Sequence, residues 1–223
     1  MALRVPERHY DALVALLQLP ESSWESLLAS LRDWPPSLSV RGLAELVAPK
    51  LNLPEDIARD GIRMLGSLYS ARVRGNAAIE AFVEDVCRAA QASDRTEFRA
   101  PAESWTRFKR ALASVLSLEQ TLGVRSKAFD LQLEHPRTLC TARILTDVRP
   151  VFGTDPTQPP PAVFVSHTLR IAYHEGDSLK EFFVALDSAD LRELKGLIER
   201  ASLKEANLRR FFGTYTIPCV DLE

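Results

Sequence analysis

The hydrophobic period of this chain changes near residue 127. Before it, apolar residues recur every three to four positions, the repeat of a helix with one buried face. From Phe129 to Leu186 they recur every second position, the repeat of a strand with one buried face. A single amphipathic stretch then closes the pattern. The expected class is α+β: an N-terminal all-helical bundle, then an antiparallel β-meander with one C-terminal covering helix. The expected domains are a helical domain over residues 1–120, a strand–strand–strand–helix module over 125–210, and an apolar tail over 211–223.

The helical half is well punctuated. Tyr10, Leu13, Val14 and Leu17 share one face, and Pro20 breaks that helix. Ser22 or Ser23 is expected to cap a second helix through Trp24, Leu27, Leu28 and Leu31, which ends at Asp33-Trp34-Pro35-Pro36. Ser39 suits the cap of a third. Pro54 with Glu55 and Asp56 suits the positive end of a fourth, which runs to about Val73. A fifth passes through Ile79, Phe82, Val83, Val86 and Cys87, and a sixth opens at Pro101-Ala102-Glu103. No fixed repeat relates them, which favours a compact bundle over a solenoid.

The second half alternates. Phe129, Leu131 and Leu133 are expected on one side of an opening strand. A second strand places Cys140, Ala142, Ile144, Val148 and Phe152 against Thr141, Arg143, Asp147 and Arg149 on the other face. The next has Val163, Val165, His167, Leu169, Ile171 and Tyr173 in one stripe. Glu175-Gly176-Asp177 turns into a last strand with Phe182, Val184 and Leu186 together. Asp187 or Ser188 caps the closing helix, with Leu191, Leu194, Ile198 and Ala201 facing inward. Two of these strands reach about 13–15 residues, against a usual length of about 5–6, and strands that long tend to extend beyond one domain, bend, or pair with another subunit.

Candidate chemistry is sparse. Arg143, Asp147 and Arg149 share the polar face of one long strand, where they suit either an anion or a salt bridge. His167 sits on an apolar stripe, where a hydrogen-bonded core role is favoured. An Asp beside Arg has a lowered pKa, which is wrong for a general base. His167 and His174 are an odd number of residues apart and fall on opposite faces, so they cannot share a metal. No nucleophile elbow, phosphate loop or zinc-ligand spacing occurs, so catalytic, cofactor-binding and metal residues are all expected to be none. The three cysteines, Cys87, Cys140 and Cys219, are too scattered for a disulfide frame. Cys87 and Cys140 read as core thiols and Cys219 as the most exposed. A net charge of −2 argues against nucleic-acid binding, and no segment is apolar enough to enter a membrane. The first ten residues, with Arg4, Glu7 and Arg8 and no apolar run behind them, do not read as a secretory signal, so a cytoplasmic location is expected.

The order of elements resembles the COMM-domain proteins, over about Leu122 to Arg210. Ala128-Phe129-Asp130-Leu131-Gln132-Leu133 looks like the family's opening strand, with Leu131 where that strand typically carries tryptophan. Phe183-Val184-Ala185-Leu186-Asp187, followed by Leu191, Leu194 and Ile198, looks like its last strand and closing helix. The resemblance implies interlocked dimers and a scaffold or adaptor role. The expected function is therefore a non-enzymatic protein–protein interaction protein, a homodimer or higher oligomer with an unidentified protein partner. The alternative is a small-molecule or anion-binding enzyme using Arg143, Asp147, Arg149 and His167 between the two domains.

Overall fold

The structure, a computed structural model, describes residues 5–176 and 178–222. The fold is α+β. Helices α1 (Tyr10–Gln18), α2 (Glu21–Arg32), α3 (Val40–Leu51), α4 (Glu55–Arg74), α5 (Ile79–Gln91), α6 (Ala102–Leu116) and α7 (Val124–Leu133) precede a three-stranded antiparallel sheet. Its strands are β1 (Thr138–Val151), β2 (Ala162–Glu175) and β3 (Ser178–Leu186), and helix α8 (Ser188–Thr214) follows. The chain divides into two compact units. One comprises residues up to Asp130 together with those from Pro218 onward, and the other is Leu131–Ile217.

The helical unit owns the core. Trp24, Leu27 and Leu31 of α2, Leu43 and Val47 of α3, Leu65 of α4 and Phe108, Leu112 and Leu116 of α6 are all essentially inaccessible. Trp24 meets Phe108 edge-on at 5.9 Å, and Trp105 meets Phe108 at 6.0 Å. Such aromatic pairs add about 0.5–1.5 kcal/mol beyond the area they bury. Ser39 caps α3 by accepting from the Gly42 amide at 3.0 Å, as its sequence position predicts. The cap expected at Ser22 or Ser23 is replaced: α2 begins at Glu21 directly after Pro20, whose φ of −68° already suits a helix start.

One sequence expectation changes here. Phe129, Leu131 and Leu133 lie in α7, not in a strand. Ala128, Leu131, Gln132 and Leu133 are good helix formers, and a competing three-to-four spacing through Leu122, Arg125, Ser126 and Phe129 wins. Ser126 is held by a buried hydroxyl–hydroxyl bond to Ser70 of α4, 2.8 Å long. The expected apolar tail over 211–223, read as packing on the domain or on a partner, divides between the two units. Phe211 and Phe212 continue α8, Tyr215 and Ile217 follow it, and all four are exposed. The segment 218–222 belongs instead to the helical unit, where the Asp221 amide donates to the Pro36 carbonyl at 2.8 Å.

In the second unit the register is regular beyond a bulge between Leu139 and Thr141. Ile144 pairs with Leu169, Val148 with Val165, Ile171 with Phe182 and Leu169 with Val184. Directly paired residues share a face, so the three apolar stripes predicted from alternation merge on one side of the sheet. The turn between β2 and β3 has Gly176 at a φ of +60°, which glycine adopts without strain; Asp177 of that turn lies outside the described residues. The unit has almost no core of its own: among its described residues Ala172 is the only buried apolar side chain. Helix α8 follows the sheet, but none of its residues is buried, and only Leu191 and Leu194 near its start are half-covered.

Candidate functional site

Pairing in the sheet decides the fate of the predicted polar group. Arg143 lies opposite Arg170, Asp147 opposite Ser166 and Arg149 opposite Phe164, all on one face. His167 lies opposite Thr146, whose neighbours along β1 point the other way, so it sits on the reverse, apolar face. The four residues do not converge. Among the described residues no hydrogen bond or ion pair joins Asp147 to Arg143 or Arg149. The ion pair on their face is Arg170 with Glu181, which includes a 3.1 Å bond from Nε. The Thr146 hydroxyl and His167 Nδ1 stand 2.9 Å apart, which gives the imidazole one polar partner. Cys140, expected in the core, is exposed, as is β1 over nearly all its length.

The apolar face is a large exposed surface. Ile144, Val148, Val163, Val165, Phe182 and Val184 lie contiguously on it, each between 40% and 62% exposed. Together they present on the order of 500 Å² of apolar surface, the upper range of what monomeric proteins leave open. The charged ladder at the hairpin end, where Glu175 joins Arg137 at 2.9 Å and also pairs with Lys180, marks one edge of the patch. Those partners hold the Glu175 carboxyl below its ordinary pKa, the Lys180 hydrogen bond contributing most.

Helix α8 carries a matching surface. Leu191, Leu194, Ile198 and Ala201 continue at the same spacing into Leu208, Phe212 and Tyr215, a near-heptad stripe interrupted at Glu205. From Ile198 onward the stripe is exposed.

A second feature, which the sequence reading did not find, is a cavity of about 600 Å³ within the helical unit. Helices α4 and α7 contribute Arg63, Gly66, Ser67 and Ser70, then Arg125, Ser126 and Phe129. Trp34, Val40, Ile62, Leu122 and Leu222 add apolar surface, and Arg8, His9, Asp60 and Arg74 add charge and polarity. The signal that could have found it is the polar stripe Arg63, Ser67, Ser70, Arg74, which runs every three to four residues along α4 beside its apolar stripe.

Arg125 is the structural hinge-pin of this region, and only 8% of it is exposed. Its Nη1 donates to the Asp221 carbonyl at 2.6 Å. Its Nη2 serves the carbonyls of Pro35 (2.9 Å), Pro36 (3.0 Å) and Leu38 (2.5 Å). The guanidinium stacks 3.6 Å from the Trp34 ring centre, and the Trp34 indole donates to Leu38 at 2.8 Å. A planar five-donor fork is the side chain able to serve several carbonyls at once. Burial pulls the Arg125 pKa down to about 10, with the Asp221 charge opposing. Its Nε is buried with no partner, as is Nδ1 of His9.

Among the described residues, no three His, Cys, Asp or Glu side chains stand close enough to hold a metal, and no helix is long and apolar enough to cross a membrane. No family model matches the chain, and no curated protein matches its sequence.

Proposed function

We propose that this chain is a non-enzymatic protein–protein interaction protein that dimerises through its C-terminal β-rich module, a use of the module like that of the COMM-domain proteins. One observation carries the reading: among the described residues, the apolar face of the sheet and the apolar stripe of α8 are both exposed. Each surface is what the other lacks. Exchange between two copies related by a two-fold axis would satisfy both, because an isologous interface uses the same patch twice. The area agrees. Two sheet faces of on the order of 500 Å² each supply about 1,000 Å², the lower bound for a specific interface, before any contribution from α8.

The exposed tail of α8, with Phe211 against Phe212 at 5.5 Å and Tyr215 at 5.1 Å from Phe211, adds aromatic anchors of the kind that dominate interfaces. The helical unit, with its closed core, is then free to recognise a further protein.

Light scattering on the purified chain at micromolar concentration tests this. The expected result is a dimer or larger assembly. Val148→Lys with Val165→Lys, a directly paired and exposed couple, is expected to shift the mass to that of one chain while the helical content is unchanged. A stable monomer of the unaltered protein would remove the proposal.

A further inference from the structure

We infer that the cavity between α4 and α7 binds an amphipathic organic anion, a single carboxylate or phosphate head on an apolar body. This site is independent of the sheet face and of the dimer.

Arg8, Arg63, Arg74 and Arg125 line the cavity against one carboxylate, Asp60, in a chain whose net charge is −2. The guanidiniums at the mouth are loosely engaged: Arg63 stands 3.9 Å from Asp60, and Arg74 stands 3.6 Å from Asp130. Both distances exceed a hydrogen bond, so both cations keep donors for a ligand.

Polar groups in the wall are incompletely used as well. Arg125 is more than nine-tenths buried, and its Nε–H has no acceptor. Ser70 and Ser126 share one hydrogen bond between two hydroxyls, which leaves one hydroxyl hydrogen uncommitted. His9 Nδ1, also buried and unpartnered, adds a third polar group.

The rest of the cavity is not built for a bare ion. Trp34, Val40, Ile62, Leu122 and Phe129 form its apolar part, and about 600 Å³ is far more than phosphate or carboxylate needs but ordinary for a small organic ligand. Gly66, at the middle of the α4 stripe, has no heavy atom within 4 Å of where a Cβ would stand, so a body can lie directly on the helix there.

Calorimetric titration of the full chain with submicellar octanoate, octyl phosphate, octanol and inorganic phosphate tests the assignment. Saturable binding of one anion per chain is expected for octanoate or octyl phosphate, at least tenfold tighter than for octanol or inorganic phosphate. The tighter of the two names the head group. Gly66→Leu fills the open floor without a clash and is expected to weaken binding at least tenfold with an unchanged or raised Tm. Arg63→Glu is expected to weaken binding similarly, and Val165→Lys on the sheet is expected to leave it unchanged. The inference is overturned if neither anion saturates at millimolar concentration, if octanol or inorganic phosphate binds as tightly, or if Gly66→Leu keeps the original affinity.

Discussion

At the scale of single residues, Arg125 shows how one side chain can hold distant segments together. Its guanidinium joins carbonyls of the α2–α3 connection to a carbonyl of the 218–222 segment, a link of ninety residues or so that no local pattern announces. Arg125→Ala should destabilise the helical unit by roughly 3 kcal/mol, since several buried carbonyls lose charged donors together. Arg125→Lys should recover only part of this, because an ammonium cannot reproduce the fork. Urea denaturation followed by circular dichroism measures both. Cys87 carries the clearest pH dependence. Burial pushes its thiol up to about 11. Below the ordinary thiol range both folded and unfolded chains hold the proton. Between that range and pH 11 the unfolded chain releases it and the folded chain does not, so stability must fall as pH rises, by about 3 kcal/mol in all. Arg125 acts in the opposite sense above pH 10, so melts between pH 8 and 10 isolate the thiol. Cys87→Ala should flatten that slope, and a thiol reagent at pH 8 should modify exposed Cys140 while sparing Cys87 until denaturant is added.

Elements differ in how much of their ends the sequence specifies. Helix α8 starts in a full capping box: Asp187 Oδ1 accepts from the Ala189 and Asp190 amides, and the Asp190 carboxylate accepts from the Asp187 amide at 2.8 Å. These backbone bonds, that to Asp190 foremost, hold the Asp187 carboxyl below its ordinary range. The cap is therefore intact above the normal aspartate pKa and lost as pH falls through the lowered one. Asp187→Ala should speed amide exchange in the first turn of α8 several-fold at neutral pH. The other end is less well matched. Ile217 donates to the Phe212 carbonyl and Thr216 to that of Gly213, each at 3.2 Å, closing a Schellman motif with Thr216 at a φ of +55°. Asn52 and Asn76 take the same left-handed conformation after α3 and α4, where asparagine tolerates it. A β-branched residue does not, so Thr216→Gly should stabilise the end of α8 by about 1 kcal/mol, read as slower exchange in its last turn. Two periods overlap at 122–133, and the helical one prevails because Leu122 is buried and Ser126 reaches Ser70, partners that alternation alone does not reveal.

For the molecule as a whole, the contrast between the two units sets the expectations. The helical unit buries its apolar side chains within one chain, and the sheet unit leaves most of its own exposed. If a second copy covers them, the sheet unit's melting temperature should rise with protein concentration while that of the helical unit stays fixed, since only association is linked to mass action. Calorimetry over a hundredfold concentration range, with the Val148→Lys, Val165→Lys protein as the fixed-midpoint control, reads this directly. Much of the architecture was legible beforehand. Ser39, Pro54 and Pro101 mark helix starts because capping and φ preferences are local, and the stripes of β1, β2 and β3 announce a shared face because side chains alternate along a strand. The polar quartet was not legible as a site, since strand period fixes which face a residue takes relative to its own neighbours, and only register showed His167 turned away from Arg143, Asp147 and Arg149. The cavity and the Arg125 cluster were hidden for a related reason: their parts lie far apart in the chain. Period and local preference were enough for the α+β class, for helices preceding strands and a closing helix, and for the apolar face of the sheet. Tertiary structure alone decided that α7 is a helix, that α8 leaves the sheet face open, and that a buried arginine gathers Pro35, Leu38 and Asp221, because those outcomes depend on which distant surfaces meet.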